Sequence, residues 1–222
     1  MQTEITGSQY TLGEEIAHAV THGIGILLSV AGLALLVTYA VLYGDVWHIT
    51  SCSIYGATLI LLYTASTLYH GIPMPRAKKL LQRFDHAAIF LLIAGTYTPF
   101  TLVNLRGSWG WTLFGLVWGF AVIGVLLELL RDVRLKWLSL SLYLGLGWLV
   151  VIAIKPLIDA VEVGGIVLLL AGGLCYSLGV IFYIWRRMAY HHAVWHLFVL
   201  AGSVLHFFSV FFYVVPAAGG PI

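Results

Sequence analysis

Long runs of apolar residues, separated by short polar stretches, make up almost the whole chain. Seven of these runs are long enough to cross a bilayer, which takes about twenty consecutive apolar residues in a helix. The apolar residues are continuous rather than alternating, which indicates helices and not the strands of a membrane barrel. The predicted spans are 16–43, 48–69, 86–103, 109–130, 137–158, 164–185 and 194–215.

The connections between the runs are short, and no linker divides the chain. We therefore predict an all-α integral membrane protein, with residues 1–222 forming a single seven-helix transmembrane domain and residues 1–15 a short segment before the first span. Composition agrees, because apolar residues make up 61% of the chain and charged residues only 9%. A soluble domain of this length would need many more charges on its surface.

Three further observations narrow the class of protein. The first fifteen residues contain no Lys or Arg, so they lack the basic start of a cleaved secretory signal, and the first run should remain as a helix. Both cysteines, Cys52 and Cys175, lie inside apolar runs, which argues against a disulfide framework. The formal net charge of +2 is too small to indicate a nucleic-acid partner.

The basic residues predict the orientation of the bundle. Membrane proteins accumulate Lys and Arg in cytoplasmic loops, and most of the 11 basic residues here fall in loops on one side. We therefore expect a cytosolic N-terminus and a C-terminus outside. The cytosolic set is Arg76, Lys78, Lys79, Arg83, Arg131, Arg134, Lys136, Arg186 and Arg187, whereas Arg106 and Lys155 fall on the other side.

Gly115 and Gly119 are separated by three residues in the fourth predicted span. Small residues at this spacing let another helix approach closely, although such pairs also occur by chance in glycine-rich spans. We interpret the pair first as a packing feature.

Most of the nine histidines fall at one predicted membrane level, near the cytosolic ends of the spans. Polar and ionisable side chains at such a depth are costly unless they bind something, so their concentration indicates a site. His48 lies at the opposite face, and His206 lies deeper in the last span, where we expect it to form a packing hydrogen bond. The residues at the shared level are Glu14, Glu15, His18, His22, Ser66, His70, Asp85, His86, Glu128, His191, His192 and His196.

Three of these histidines form a candidate metal site. His192 and His196 are four residues apart and share one helix face, and His70 approaches from a second helix. Three neutral imidazoles with an open fourth position are the ligand set of catalytic zinc, whereas magnesium and calcium prefer oxygen ligands. His191 competes with His192, but it diverges from His196 around the helix, so we prefer His192.

Asp85 and Ser66 are the candidate catalytic residues. Asp85, from a third helix, is placed to hold a water molecule or take its proton, and Ser66 to stabilise an oxyanion or to hydrogen-bond Asp85. Taken alone, Asp85 also fits a cap at the start of the third span, and Ser66 a bond to its own helix carbonyl. The convergence of three helices at one depth favours the site.

The remaining polar residues at this level leave alternatives open. His18 and His22 are also four residues apart, and they fit a second metal pair, a proton relay or hydrogen-bond donors around the metal ligands. Further candidates for the relay or donor role are Glu14, Glu15 and His86.

Several segments resemble the bacterial haemolysin III proteins, the prokaryotic branch of the progestin and adiponectin receptor (PAQR) family. They are EEIAHAVTHGIG at 14–25, STLYH at 66–70, FDHAAIFLLIAGTYTPF at 84–100 and HAVWHLFVLAGSVLHF at 192–207. The similarity covers essentially the whole chain. The family belongs to a wider set of proposed membrane hydrolases that includes alkaline ceramidases.

The resemblance implies a seven-helix bundle in the bacterial cytoplasmic (inner) membrane, with an intracellular N-terminus and a zinc ion near the cytosolic face. By position, His70, His192 and His196 match the family's zinc ligands, Asp85 its water-holding aspartate, and Ser66 the serine of its Ser-x-x-x-His motif. His18 stands where the family pattern leads us to expect a polar residue that is not a ligand. Ceramide hydrolysis is associated with this site in the adiponectin receptors, and a role in membrane homeostasis is proposed for the bacterial branch.

We therefore expect a zinc-dependent hydrolase that acts on an amide or ester bond of a membrane lipid, which would enter laterally between helices. One alternative is a non-enzymatic membrane sensor or homeostasis factor with a structural zinc. Another is a pore-forming or transport protein in which His18, His22, Asp85 and Glu128 form a relay. The sequence does not predict an oligomeric state.

Overall fold

The structure, a computed structural model, describes residues 10–130 and 136–215. Its helices are α1 Leu12–Tyr43, α2 Val46–Gly71, α3 Pro75–Pro99, α4 Ser108–Leu130, α5 Lys136–Gly147, α6 Ile154–Ala160, α7 Val163–Ile184 and α8 His191–Tyr213. A π-helical turn, Phe100–Asn104, extends α3, and a 3₁₀ turn, Leu149–Ala153, joins α5 to α6. The predictions for Arg131, Arg134 and the first nine residues lie outside the described part of the chain.

Seven helical segments in the described residues are long and apolar enough to cross a membrane. Five are single helices, one is α3 with its π-helical turn, and one runs from α5 through the 3₁₀ turn to α6. This confirms the all-α prediction with seven spans. Six of the seven begin and end within a few residues of the predicted positions.

The third span is the exception, because α3 begins at Pro75 rather than at His86. Proline suits the first position of a helix, where its missing N–H has no partner to lose. The added turns carry lysines and arginines, so a search for apolar residues starts the span too late. Asp85 consequently lies well inside α3, and its interpretation as a helix cap is wrong.

Side-chain caps fix the starts of the first two helices. Thr11 and Glu14 form a reciprocal capping box at the start of α1, with Thr11 N donating to Glu14 Oε2 at 2.9 Å. At the start of α2, Asp45 Oδ1 accepts hydrogen bonds from Trp47 N and His48 N, at 2.9 and 3.1 Å. Slight burial opposes ionisation of Asp45, but the bonds from His48 and Trp47 outweigh it and lower the pKa of this carboxyl.

Tyr97 stabilises the point at which the fifth span changes from α5 to the 3₁₀ turn. Its hydroxyl donates to Gly147 O at 2.7 Å and accepts a hydrogen bond from Val150 N at 2.9 Å. A broken helix inside a membrane needs such partners, because no water is present to satisfy the backbone. α3 therefore holds the fifth span at its break.

The helices that carry the histidines are neighbours in the bundle. α1 packs against α2 and α8, α2 packs against α3, and α7 packs against α8. The starts of α1 and α8 and the end of α2 consequently meet at one end of the bundle, called the histidine end below. Gly115 and Gly119 play no part in this packing, since a Cβ atom at either position would meet nothing within 4 Å. The packing interpretation of that pair is wrong within the described chain.

Candidate metal centre

His70, His192 and His196 meet at the histidine end and are called the histidine triad below. The ring centroid of His70 lies 5.2 Å from that of His192 and 5.1 Å from that of His196, and the centroids of His192 and His196 are 4.6 Å apart. One nitrogen of each ring lies within 4.8 Å of the other two, and all three side chains are buried. The triad therefore offers a three-nitrogen donor set in a protected position.

α1 orients two members of the triad. His70 Nδ1 donates to Glu15 Oε2 at 2.7 Å, and His196 Nδ1 lies 3.3 Å from the carbonyl oxygen of His18, to which it donates. These acceptors hold the proton of each ring on Nδ1, so the lone pair is on Nε2. A carboxylate or carbonyl partner of this kind fixes the tautomer and orientation of a metal-ligating imidazole.

Unpartnered nitrogens support the fit of the triad to a metal ion. Among the described residues, the buried His70 Nε2 and His192 Nδ1 have no hydrogen-bond partner. Leaving such an atom buried without a partner costs about 1–3 kcal/mol, so two of them from different helices indicate a missing partner. Three neutral nitrogen donors fit zinc well.

Lys78 is a component that the sequence did not reveal. Its Nζ lies 2.8 Å from Glu15 Oε1 and also donates to the carbonyl oxygen of Tyr69 at 3.0 Å. In the sequence, this lysine indicates only the topology of a predicted loop. With α3 starting at Pro75, Lys78 and Asp85 are seven residues apart and share one helix face, which is the signal that could have found it.

His18 and His22 lie against the triad. The His22 ring stacks on the His196 ring, with centroids 3.5 Å apart and planes 9° apart. The His18 ring, which is 0% exposed, lies 4.6 Å from His70 and 4.9 Å from His192. Among the described residues, neither ring has a hydrogen-bond partner at either nitrogen.

Three predicted candidates contact other parts of the protein. Glu14 belongs to the α1 cap, and its other oxygen accepts a hydrogen bond from Tyr190 N at 3.2 Å, so Glu15 and not Glu14 contacts the histidine triad. His191 Nδ1 donates to Phe182 O at 2.9 Å, which leaves His192 in the triad. His86 Nδ1 donates to Gln82 O at 2.6 Å.

The two remaining histidines lie away from the triad. His206 Nε2 donates to Leu169 O at 3.0 Å, the packing hydrogen bond that was expected. His48 lies at the opposite end of the bundle, where it contacts Asp45.

Ser66 and Asp85 line a cavity of about 290 Å³ that also reaches His22, His192 and His196. Ser66 Oγ is buried and makes no hydrogen bond to a described residue. It therefore forms neither the predicted bond to Asp85 nor the alternative bond to its own helix. The hydroxyl remains available to a molecule at the histidine end of the cavity.

The rest of the cavity wall is predominantly apolar, with isolated polar side chains such as Thr96, Ser177 and His206. The wall extends along α8 from His196 to His206, which are ten residues and so about 15 Å apart along the helix axis. Leucine, isoleucine and aromatic side chains of α3, α5 and α7 complete it. An elongated, mainly apolar cavity with a few polar groups is typical of small-molecule sites.

Seven membrane-spanning helices around buried histidines and a carboxylate place the protein among multipass membrane proteins with a candidate metal centre. A family model described as Haemolysin-III related matches residues 10–207. The chain is 48% identical over 206 residues to the Hemolysin-3 homolog of Bacillus subtilis (strain 168), covering 93% of this chain and 97% of that protein. It is 45% identical over 218 residues to Hemolysin-3 of Bacillus cereus, covering 98% and 100%. The chain therefore belongs to the haemolysin III family.

A more distant relative supports the link to the wider PAQR family. The chain is 27% identical over 209 residues to the human Monocyte to macrophage differentiation factor, covering 91% of this chain and 85% of that protein. The family resemblance predicted from the sequence is confirmed.

Proposed function

We propose that the protein is a zinc-dependent hydrolase that cleaves an amide or ester bond of a lipid in the bacterial cytoplasmic membrane. The observation that carries the proposal is that His192 and His196 of the triad border a mainly apolar cavity, which Asp85 and Ser66 line at the histidine end. The candidate zinc ligands, a carboxylate for acid–base catalysis and a space for an acyl chain thus lie next to one another.

The residues of the site divide the work of hydrolysis among them. His70, His192 and His196 would hold the ion, with Glu15 and the His18 carbonyl fixing two of the rings. Bound zinc polarises a carbonyl group and brings the pKa of a water ligand toward neutrality. Asp85 takes the proton of the attacking water and returns it to the leaving group. Ser66 donates a hydrogen bond to the oxyanion as it develops.

The lipid is expected to enter from the side, between α5 and α7. Both helices contribute to the cavity wall, and side chains of α5 and of Trp148, the residue that follows it, contact α7 at two levels. Trp148 Nε1 donates to Ser177 Oγ at 3.0 Å, and Lys136 Nζ lies 4.4 Å from the centre of the Tyr183 ring. Each contact of this kind contributes about 0.5–1.5 kcal/mol, so separating α5 from α7 at these two points costs little free energy.

The proposal places the histidine end at the cytosolic side. Lys78 and Arg83 lie on the first turns of α3 at this end, and Lys136 starts α5 there. At the opposite end, Arg106 lies 3.5 Å from Asp45 and over the Trp47 ring. An excess of basic residues at one end supports a cytosolic location for that end.

Turnover and zinc content measured on the same preparations test the proposal. Vesicles containing short-chain ceramides and phospholipid esters are incubated with purified protein, and the released fatty acid is quantified by mass spectrometry. Asp85→Asn should keep its zinc and lose about 10²–10⁴-fold in turnover, the contribution of general acid–base catalysis. His196→Ala removes a ligand of the triad and should lose turnover to at least the same extent.

A matched control is His206→Gln, which changes a histidine of the same cavity wall away from the triad. It should keep its zinc and substantial turnover. Wild-type protein that carries zinc and releases no fatty acid from either lipid class would contradict the hydrolase.

That last result would favour a second candidate, a membrane homeostasis factor with a structural metal. The specific observation behind it is that the site joins four helices, since Glu15, His70, Lys78 and His196 come from α1, α2, α3 and α8. In this case zinc removal should lower the melting temperature without any lipid turnover by the intact protein.

A further inference from the structure

A second group of metal-binding side chains lies beside the histidine triad and shares one residue with it. Glu15, His18 and His70 each offer a ligand atom, and these atoms lie within 4.8 Å of one another. We propose that this group is a second zinc seat, called the α1 seat below, that serves as an alternative to the triad. The inference rests on the proposed function, because it assigns two positions to the zinc of that site.

The donor set of the α1 seat suits zinc. Two imidazoles and one carboxylate form a known set of protein ligands at catalytic zinc. Glu15 and His18 are three residues apart on α1, so they lie on the same face of one helix and are presented together. His70 completes the group from α2.

The measured distances suit an ion between these groups. Glu15 Oε2 lies 2.7 Å from His70 Nδ1 and 3.9 Å from His18 Nδ1. Ligand atoms around tetrahedral zinc, with bonds of 2.0–2.1 Å, are about 3.3 Å apart. Shifts of about 0.6 Å in opposite directions, within the reach of side-chain rotation, would convert the observed arrangement into a coordinating one.

His18 provides the independent observation for the α1 seat. The side chain is 0% exposed, and both of its ring nitrogens lack a hydrogen-bond partner among the described residues. An imidazole without partners in this position is costly, and the triad does not use it. A metal ion at the α1 seat would satisfy one of these nitrogens.

Lys78 pairs with the oxygen of Glu15 that the α1 seat does not use. Its Nζ lies 2.8 Å from Oε1, on the other side of the carboxylate from Oε2, which faces the two histidines. The lysine thus holds the carboxylate in one orientation.

His70 makes the two seats mutually exclusive. A neutral imidazole carries its proton on one nitrogen and its lone pair on the other. In the triad, Nε2 of His70 binds the ion and Nδ1 donates its proton to Glu15. In the α1 seat, Nδ1 binds the ion, so the proton moves to Nε2 and His70 no longer contributes to the triad. One chain therefore holds one zinc ion in either of two positions.

Zinc content of purified variants, measured by mass spectrometry, tests the inference. Wild type should hold one zinc per chain. His192→Ala removes a ligand of the triad only and should still hold one, and so should His18→Leu, which removes a ligand of the α1 seat only. The double variant His18→Leu/His192→Ala should hold at least tenfold less. Replacing His192→Ala by His196→Ala gives a second variant of the triad, should the first fail to fold.

A matched control replaces His22, which is buried like His18 but belongs to neither seat. His22→Leu/His192→Ala should therefore hold as much zinc as His192→Ala. Circular dichroism verifies that each variant is helical. If wild type holds one zinc ion and the folded variants His192→Ala and His196→Ala hold none, the α1 seat is wrong and the hydrolase proposal is unaffected. If wild type holds two zinc ions, the two seats are not mutually exclusive. Wild type without zinc would contradict the proposed function as well, whereas the predicted pattern without lipid turnover would contradict the hydrolase alone.

Discussion

Replacing Lys78 with methionine should destabilise the protein by about 3–5 kcal/mol, the usual cost of removing one partner from a buried ion pair. The Lys78 and Glu15 side chains are only 8% and 3% exposed, and the charged atoms lie 2.8 Å apart. Methionine fills a similar volume and carries no charge, so Glu15 would remain buried without its cation. The hydrogen bond from Lys78 to the Tyr69 carbonyl is lost as well.

Thermal unfolding in detergent, followed by intrinsic tryptophan fluorescence, measures this effect. At about 2–4 °C per kcal/mol for a chain of this length, the melting temperature of Lys78→Met should fall by about 6–20 °C. The double variant Glu15→Gln/Lys78→Met should recover part of the loss. Glutamine leaves no buried charge, and its amide oxygen still accepts the hydrogen bond from His70.

Lys155 and Asp159 provide the matched control. Their charged atoms are 2.9 Å apart, but the side chains are 84% and 62% exposed. Solvent screens such a pair, so Lys155→Met should change the melting temperature very little. Equal, small shifts for Lys78→Met and Lys155→Met would refute the reasoning, because burial would then contribute nothing.

Three other predictions concern the metal, the packing and the caps. A chelator should lower the melting temperature of wild type, and zinc at one hundred times its dissociation constant should restore about 2.7 kcal/mol of unfolding free energy. The double variant His18→Leu/His196→Ala, which lacks a ligand of each seat, should not respond to the chelator. A response equal to that of wild type would contradict this prediction. In chemical denaturation, Gly110→Ala should be less stable than wild type because its Cβ would lie 2.5 Å from the backbone oxygen of Leu105. At Gly115 a Cβ would meet nothing within 4 Å, so Gly115→Ala should gain up to about 1 kcal/mol of unfolding free energy. The reverse order of stability would contradict the packing. Asp45→Asn should be less stable than wild type at pH 7. Because the folded-state pKa of Asp45 is lowered, the difference should begin to shrink as the pH falls through the unfolded value of about 3.9 and should be lost only below the folded-state pKa; a difference that does not shrink between about pH 5 and pH 2 would contradict the assignment.

The seven spans could be predicted because bilayer thickness dictates the length of each apolar run. The same criterion failed at the start of α3, since a helix can continue past the membrane into charged turns such as those that carry Lys78. Hydropathy marks where a helix meets lipid and does not mark where the helix begins. The buried Lys78–Glu15 pair was missed for that reason.

The candidate ligands could be grouped from the sequence because spacing and depth are properties of single helices. His192 and His196 share a face at four residues apart, and the structure places both beside His70. The choice between the adjacent Glu14 and Glu15 could not be made, because it depends on the rotation of α1 about its axis. That rotation is set by packing against α2 and α8, which no pattern within α1 reveals.

X-ray absorption at the zinc edge, on wild-type protein purified without chelators, tests the central claim most directly. The account predicts one zinc ion per chain with nitrogen or oxygen ligands at about 2.0–2.1 Å and the multiple scattering typical of imidazole rings. A preparation without stoichiometric zinc, or zinc that lacks imidazole ligands, would contradict it.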